Sequence, residues 1–144
     1  MYVRLCIAIT LLLTTVVSGC ESMKSVAGGS PSSDLTALLT KQLGVTDTQA
    51  TAGTGSMLQL AKEKLTAEQF DSIAKVIPSA QKYLDSATQR LGGAKVGDAN
   101  GLQSAFSKLG MSPDMVNKFK PIVSNYVGEL GGPQVKSLLE GALK

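Results

Sequence analysis

From Asp34 onward, apolar residues recur every three or four positions, the spacing that lines one face of a helix. Leu35, Leu38 and Leu39 start a short helix that closes near Leu43-Gly44. Thr46, with Gln49 three residues on, has the pattern of a capping box, in which the hydroxyl and the amide satisfy each other's unpaired backbone N–H. The helix it opens carries Ala50, Gly53, Met57, Leu60 and Ala61 on one face. Thr66 and Gln69 repeat the device ahead of Phe70, Ile73, Ala74 and Ile77, and Pro78 stops that helix. Ala80, Tyr83, Leu84, Ala87 and Leu91 form the next stripe, closed by Gly92-Gly93.

After a loop at 94–99 the pattern resumes. Asn100 with Gln103 reads as a third capping box, leading Leu102, Ala105, Phe106 and Leu109. Ser112-Pro113 reads as an N-cap followed by proline at the first helical position. The longest stripe runs Met115, Val116, Phe119, Ile122, Val123, Tyr126, Val127 and Leu130, and Pro121 within it predicts a kink. Gly131-Gly132-Pro133 breaks the chain before a last helix carrying Val135, Leu138, Leu139 and Ala142. Alternation with period two is not sustained, so strands are not supported. The expectation is an all-α domain over 34–144, a compact bundle of about seven short helices. Leu43-Gly44-Val45-Thr46 recurs as Leu109-Gly110-Met111-Ser112, which raises the idea of two related halves packed face to face. Convergence of helix–cap–helix joints on the same residues accounts for the recurrence equally well.

The first twenty residues follow a different rule. Arg4 supplies one positive charge, and Leu5 to Val17 is almost wholly apolar. Those 13 residues have the length of a signal-peptide core; as a helix they would rise roughly 20 Å, short of the ~30 Å hydrocarbon layer. The run ends in Val17-Ser18-Gly19-Cys20, which resembles the bacterial lipobox. That resemblance implies a signal peptide over 1–19, cleavage before Cys20, diacylglycerol on its thiol and an acyl chain of the palmitate class on the new N-terminus. Several buried chains anchor stably, at about 0.8 kcal/mol per CH₂. Glu21 stands where an inner-membrane retention signal of enteric-type bacteria would place Asp, so the outer membrane is favoured over the inner. Glu21 to Ser33, rich in Gly and Ser, completes a flexible linker over 20–33 that spans about 20 Å r.m.s..

Composition narrows the chemistry. The chain has 144 residues, no His, no Trp and two Cys, of which Cys6 would leave with the leader. Histidine catalysis and histidine ligation are excluded, and a disulfide framework or cysteine zinc site lacks thiols. A formal charge of +3 is too small to argue for nucleic acid.

The stretch from Leu38 to Pro78, with Gln42-Leu43-Gly44-Val45-Thr46, the Gly53/Gly55 pair and Leu65-Thr66 before Phe70, resembles the VcgC/VcgE-like family of bacterial domains of unknown function. Lys108-Leu109-Gly110-Met111-Ser112 extends the resemblance, which covers about residues 35–144. The chain departs from it at Gln81 to Arg90, where it implies more glycine. It implies a shared fold and carries no site residues.

Four patterns invite chemistry. Gly53-Thr54-Gly55-Ser56 resembles a phosphate loop, but it follows no strand and its first lysine is Lys62, so close helix packing is the favoured reading. Ser72-x-x-Lys75 and Ser79-x-x-Lys82 match Ser-x-x-Lys without its companion elements, leaving a serine hydrolase as the weakest reading. Glu63, Glu68 and Asp71 are too sparse for a calcium site, and Glu68 and Asp71 suit a helix N-terminus. The stripe bearing Met115, Phe119 and Tyr126 is either the central core helix or, in part, a surface for a partner helix or an acyl chain. The expectation is a lipid-anchored, non-catalytic binding or structural module facing the periplasm. It meets the membrane through Cys20 and an envelope protein through its body, with no cofactor, metal or nucleic acid. The alternative is a carrier or sensor of a small apolar ligand in a helical pocket.

Overall fold

The computed structural model describes residues 31–144, with side chains from Leu35 onward. The expected leader 1–19, Cys20 and the expected linker as far as residue 30 lie outside the described residues. Six helices and no strands occur among the described residues: α1 (Pro31–Leu43), α2 (Asp47–Lys64), α3 (Ala67–Val76), α4 (Ala80–Leu91), α5 (Ala99–Lys108) and α6 (Met115–Ala142). None of them is long and apolar enough to cross a membrane. α1 opens on Pro31, three residues before the expected boundary.

The all-α class holds, and the count of seven becomes six because the last two expected helices form one element. α6 has two arms joined at Gly132, whose φ of 82° and ψ of 175° leave the helical region. A positive φ is open to glycine and costs other residues a steric clash. The bend therefore sits at Gly132, while Pro121 keeps helical dihedrals. Pro121 and Asn117, whose carbonyl it cannot satisfy, both lie on the exposed side of the helix. Water can take that carbonyl there, so no kink is forced.

Capping follows the sequence at two joints and departs at two. Thr46 with Gln49, and Thr66 with Gln69, form full reciprocal boxes. α5 is capped by Asp98, whose carboxylate accepts the Gly101 N–H at 2.6 Å, and Asn100 falls inside the first turn. Ser112 is not a cap: its carbonyl accepts the Met115 N–H at 3.0 Å in a turn that leads into α6.

α2 is the hub. It packs against each of the other five helices, so the body is not two units facing each other, and α4, its most extensive partner, has no counterpart in the second half. The two Leu-Gly joints resemble one another because each needs a left-handed residue after a helix: Gly44 has φ 66° and Gly110 φ 75°. Val45 and Met111 behind them are both buried. The joints also touch. The Gln49 amide N–H donates to the Leu109 carbonyl at 3.1 Å while its Oε1 accepts from Thr46 N.

The expected stripes are the core. Leu35, Leu39, Met57, Leu60, Ile73, Tyr83, Leu102, Phe106, Phe119, Val123 and Leu139 are all buried in one cluster. Phe106 and Phe119 meet edge to face, with ring centres 5.0 Å apart.

Candidate functional site

The middle of α2 shows what the glycine pair does. Ala52 to Leu58 are buried without a break, so this stretch of about two turns has neighbours on every side. A Cβ on Gly55 would strike the backbone carbonyl of Tyr83 and come within 2.9 Å of the Ala87 Cβ. A Cβ on Gly53 would come within 2.9 Å of Phe119 Cε1 and 3.3 Å of Phe106 Cζ. The pair thus lets α4 lie on one side of α2 and an aromatic pair on the other. Ser56 turns its hydroxyl to the Ala52 carbonyl at 2.8 Å. The phosphate-loop resemblance is answered by packing.

α4 is also held to α2 at its far end, where the Gln59 amide donates to the Thr88 hydroxyl at 2.8 Å. At its start it diverges from α3. The chain turns at Ile77-Pro78-Ser79, with Ile77 extended as a residue before proline must be. Ser79 has φ 60°, a left-handed conformation that a non-glycine residue holds at a cost of roughly 1–2 kcal/mol. As the residue preceding α4 it makes no side-chain cap.

The divergence leaves a cleft of about 740 Å³ bordered by α3, the joint, the start of α4 and the end of α2. Its apolar wall includes Phe70, Ala74, Ile77, Ala80 and Leu84. Lys62, Asp71 and Lys75 stand at its exposed rim. Neither lysine has a hydrogen-bond or ion-pair partner among the described residues, where the ion pair present joins Lys136 and Glu140 at 3.9 Å. An apolar wall with a few polar groups at its edge is the ordinary construction of a small-molecule site.

The residues singled out from sequence are placed elsewhere. Phe119 is 0 % exposed and Tyr126 8 % exposed, both in the core, and Met115 is half-buried. None of the three lines the cleft. Phe119 therefore belongs to the core-helix reading of its stripe rather than to a surface, because α2 at Gly53 and Phe106 cover it. Ser72 donates its proton to the Glu68 carbonyl at 3.0 Å along its own helix. Ser79 reaches the cleft with Lys75, and Lys82 of its motif does not. Glu68 lies in the first turn of α3, the placement its charge favours. No group of acidic or thiol side chains able to hold a metal occurs among the described residues. Cys20 lies outside them.

Sequence reasoning missed the cleft because periodicity reports which face of a helix is buried, not how far two helices splay. Pro78 marks the joint in the sequence, while the left-handed φ of 60° at Ser79 is visible only in the structure.

Among the described residues, Tyr83 is a titratable group whose environment moves it clearly. Burial pushes its phenol above the ordinary value of 10.0, partly offset by a 3.3 Å hydrogen bond with Thr36.

No curated protein and no solved structure matches the chain. Residues 14–144 match the family described as "Protein of unknown function VcgC/VcgE (DUF2780)", and the chain belongs to that family.

Proposed function

We propose that this chain is a lipid-anchored protein of the bacterial cell envelope whose helical body is a non-catalytic binding module, with the α3–α4 cleft as its binding surface. The observation that carries the reading is the cleft itself, floored by Phe70, Ile77 and Leu84 and edged by Lys62 and Lys75, neither of which has a partner among the described residues. The Ser79 backbone supports it too, since strain at a joint persists when the surrounding structure holds it there.

The anchor rests on the order of Arg4, the apolar run and Val17-Ser18-Gly19-Cys20. The family match begins inside that apolar run, so Cys20 and the linker fall within the family's extent. The body then faces the periplasm, with the outer membrane favoured by Glu21. An envelope protein is one occupant this placement allows, and a small apolar molecule is the other. The cleft's size favours the second, and a serine hydrolase through Ser72 or Ser79 stays the weakest reading.

The test is a photocrosslinking residue placed at Gln81, on the cleft, and at Ser137, on the outer arm of α6, in cells that mature lipoproteins. Adducts from position 81 and none from position 137 support the reading. Equal yields, or no adduct at 81, remove it. The anchor is read separately: intact mass should show acyl chains on Cys20, and Cys20→Ser should release the chain from the membrane fraction. An unmodified Cys20 would overturn that half.

A further inference from the structure

We infer that Gly132 decides where the outer arm of α6, residues 133–142, docks: on its own body, as in this structure, or on the same seat of a second copy of this chain. Gly132 has φ 82° and ψ 175°. That corner of backbone space is all but closed to a residue with a Cβ. It folds the two arms of α6 back on one another. In a straight helix residues 128 and 136 would lie about 12 Å apart along the axis, yet a Cβ on Gly128 would stand 3.2 Å from the Lys136 Cβ. The Lys136 ammonium donates to Asn125 Oδ1 at 2.7 Å and clasps the arms together. A Cβ on Gly131 would come within 2.6 Å of a Val76 methyl, so α3 stands hard against the elbow.

The outer arm and its seat need each other. Leu139, Ala142 and Leu143 are 0–3 % exposed and belong to the core cluster. A helix shorter than about 12–15 residues is marginal by itself in water, so the arm requires a seat, and the core without those three side chains requires an arm. The arm of a second copy meets both needs, because every contact of the seat is then re-formed between chains and only the hinge differs. In the parent chain glycine reaches the elbow, and the tethered arm outcompetes any arm arriving from solution. Pro133 follows, and a residue before proline prefers extended backbone with φ near −120°. A side chain at position 132 therefore loses the elbow, directs the arm away from its own body, and leaves the seat to the arm of another copy.

The experiment uses the full chain in detergent micelles. Native mass spectrometry should show a monomer for the parent and a dimer for Gly132→Ala, with helix content kept. Arm exchange is read by disulfide pairing between two differently tagged copies, one carrying Gly128→Cys and the other Lys136→Cys. Their 3.2 Å separation is close to the ~3.5–4.5 Å of a disulfide's Cβ pair. Exchanged arms bring these positions together across chains. In the Gly132→Ala background the mixed disulfide should exceed either same-variant disulfide by about tenfold or more, since the pair is held together rather than meeting by collision. Cys6 and Cys20 are common to every copy and add equally to all products. A Gly132→Ala chain that is folded and monomeric overturns the inference, as does a dimer without excess mixed disulfide. Should Gly132→Ala not fold, copies with Gly132 intact decide the matter after they are unfolded in urea and refolded together. A mixed product that grows with protein concentration supports exchange, and its absence at every concentration overturns it.

Discussion

α4 meets its two neighbours in opposite ways. Against α2 it comes so close that the Tyr83 carbonyl occupies the space a Gly55 side chain would need. Against α3 it starts apart, behind a strained Ser79, and leaves a cleft walled by Phe70 and Leu84. The first contact gives up helix propensity, about 1 kcal/mol for each glycine, to remove every gap. The second gives up backbone comfort at Ser79 to keep one. The difference teaches that α4 is clamped along one side so that its other side can stand open. A rigid wall is what a binding cleft needs, because an occupant then loses nothing to reordering.

Substitutions should separate the two contacts. Gly55→Ala should cost about 3 kcal/mol or more, read as the urea midpoint of the full chain, because the added methyl meets backbone that cannot move aside. An unchanged midpoint would mean that the seam is not closed. Gly53→Ala should cost less, about 1–2 kcal/mol, since the buried Phe119 ring must shift but no backbone stands in the way and alanine returns helix propensity. Ser79→Gly should act in the opposite sense and raise stability by about 1 kcal/mol, through relief of the left-handed strain. If it also narrows or widens the cleft, crosslinking from position 81 will change with it.

Alkali should act where the Tyr83 phenol of α4 meets Thr36 of α1. Tyr83 holds its proton more tightly folded than unfolded, so its contribution is fully present below pH 10 and is lost as pH rises through the raised folded value. Tyr83→Phe should flatten that part of the alkaline melting curve, and an identical curve would put the loss elsewhere. The smallest effect belongs to the rim: Lys62→Glu and Lys75→Glu should each move stability by less than about 0.5 kcal/mol, as both side chains are exposed and unpaired among the described residues.

Helix identity was legible because the stripes are unambiguous and because Thr46–Gln49 and Thr66–Gln69 carry their caps in the local sequence. The break at Gly131-Gly132-Pro133 was legible and falls at Gly132, where the two arms of α6 join, whereas the kink expected at Pro121 does not occur. α5 was misplaced at its start because Asp98 and Asn100 both suit an N-cap, and the structure has Asp98 there, bonded to the Gly101 N–H. The packing role of Gly53 and Gly55 was legible as a class of explanation, whereas the partner, Tyr83 backbone, was not. Met115, Phe119 and Tyr126 drew notice as aromatic and apolar, and size alone does not tell a core residue from a ligand contact. The cleft rests on an interhelical angle, which no local pattern encodes.

Occupancy of the cleft in the cell is the point on which the account turns, and thiol accessibility measures it directly. With Cys20 acylated, Gln81→Cys would be the one free thiol of the mature chain. Its reaction with a small maleimide should be slow in intact cells and at least several-fold faster after the chain is purified and stripped of lipid, while Ser137→Cys reacts alike in both. Equal rates at position 81 before and after stripping would contradict the account.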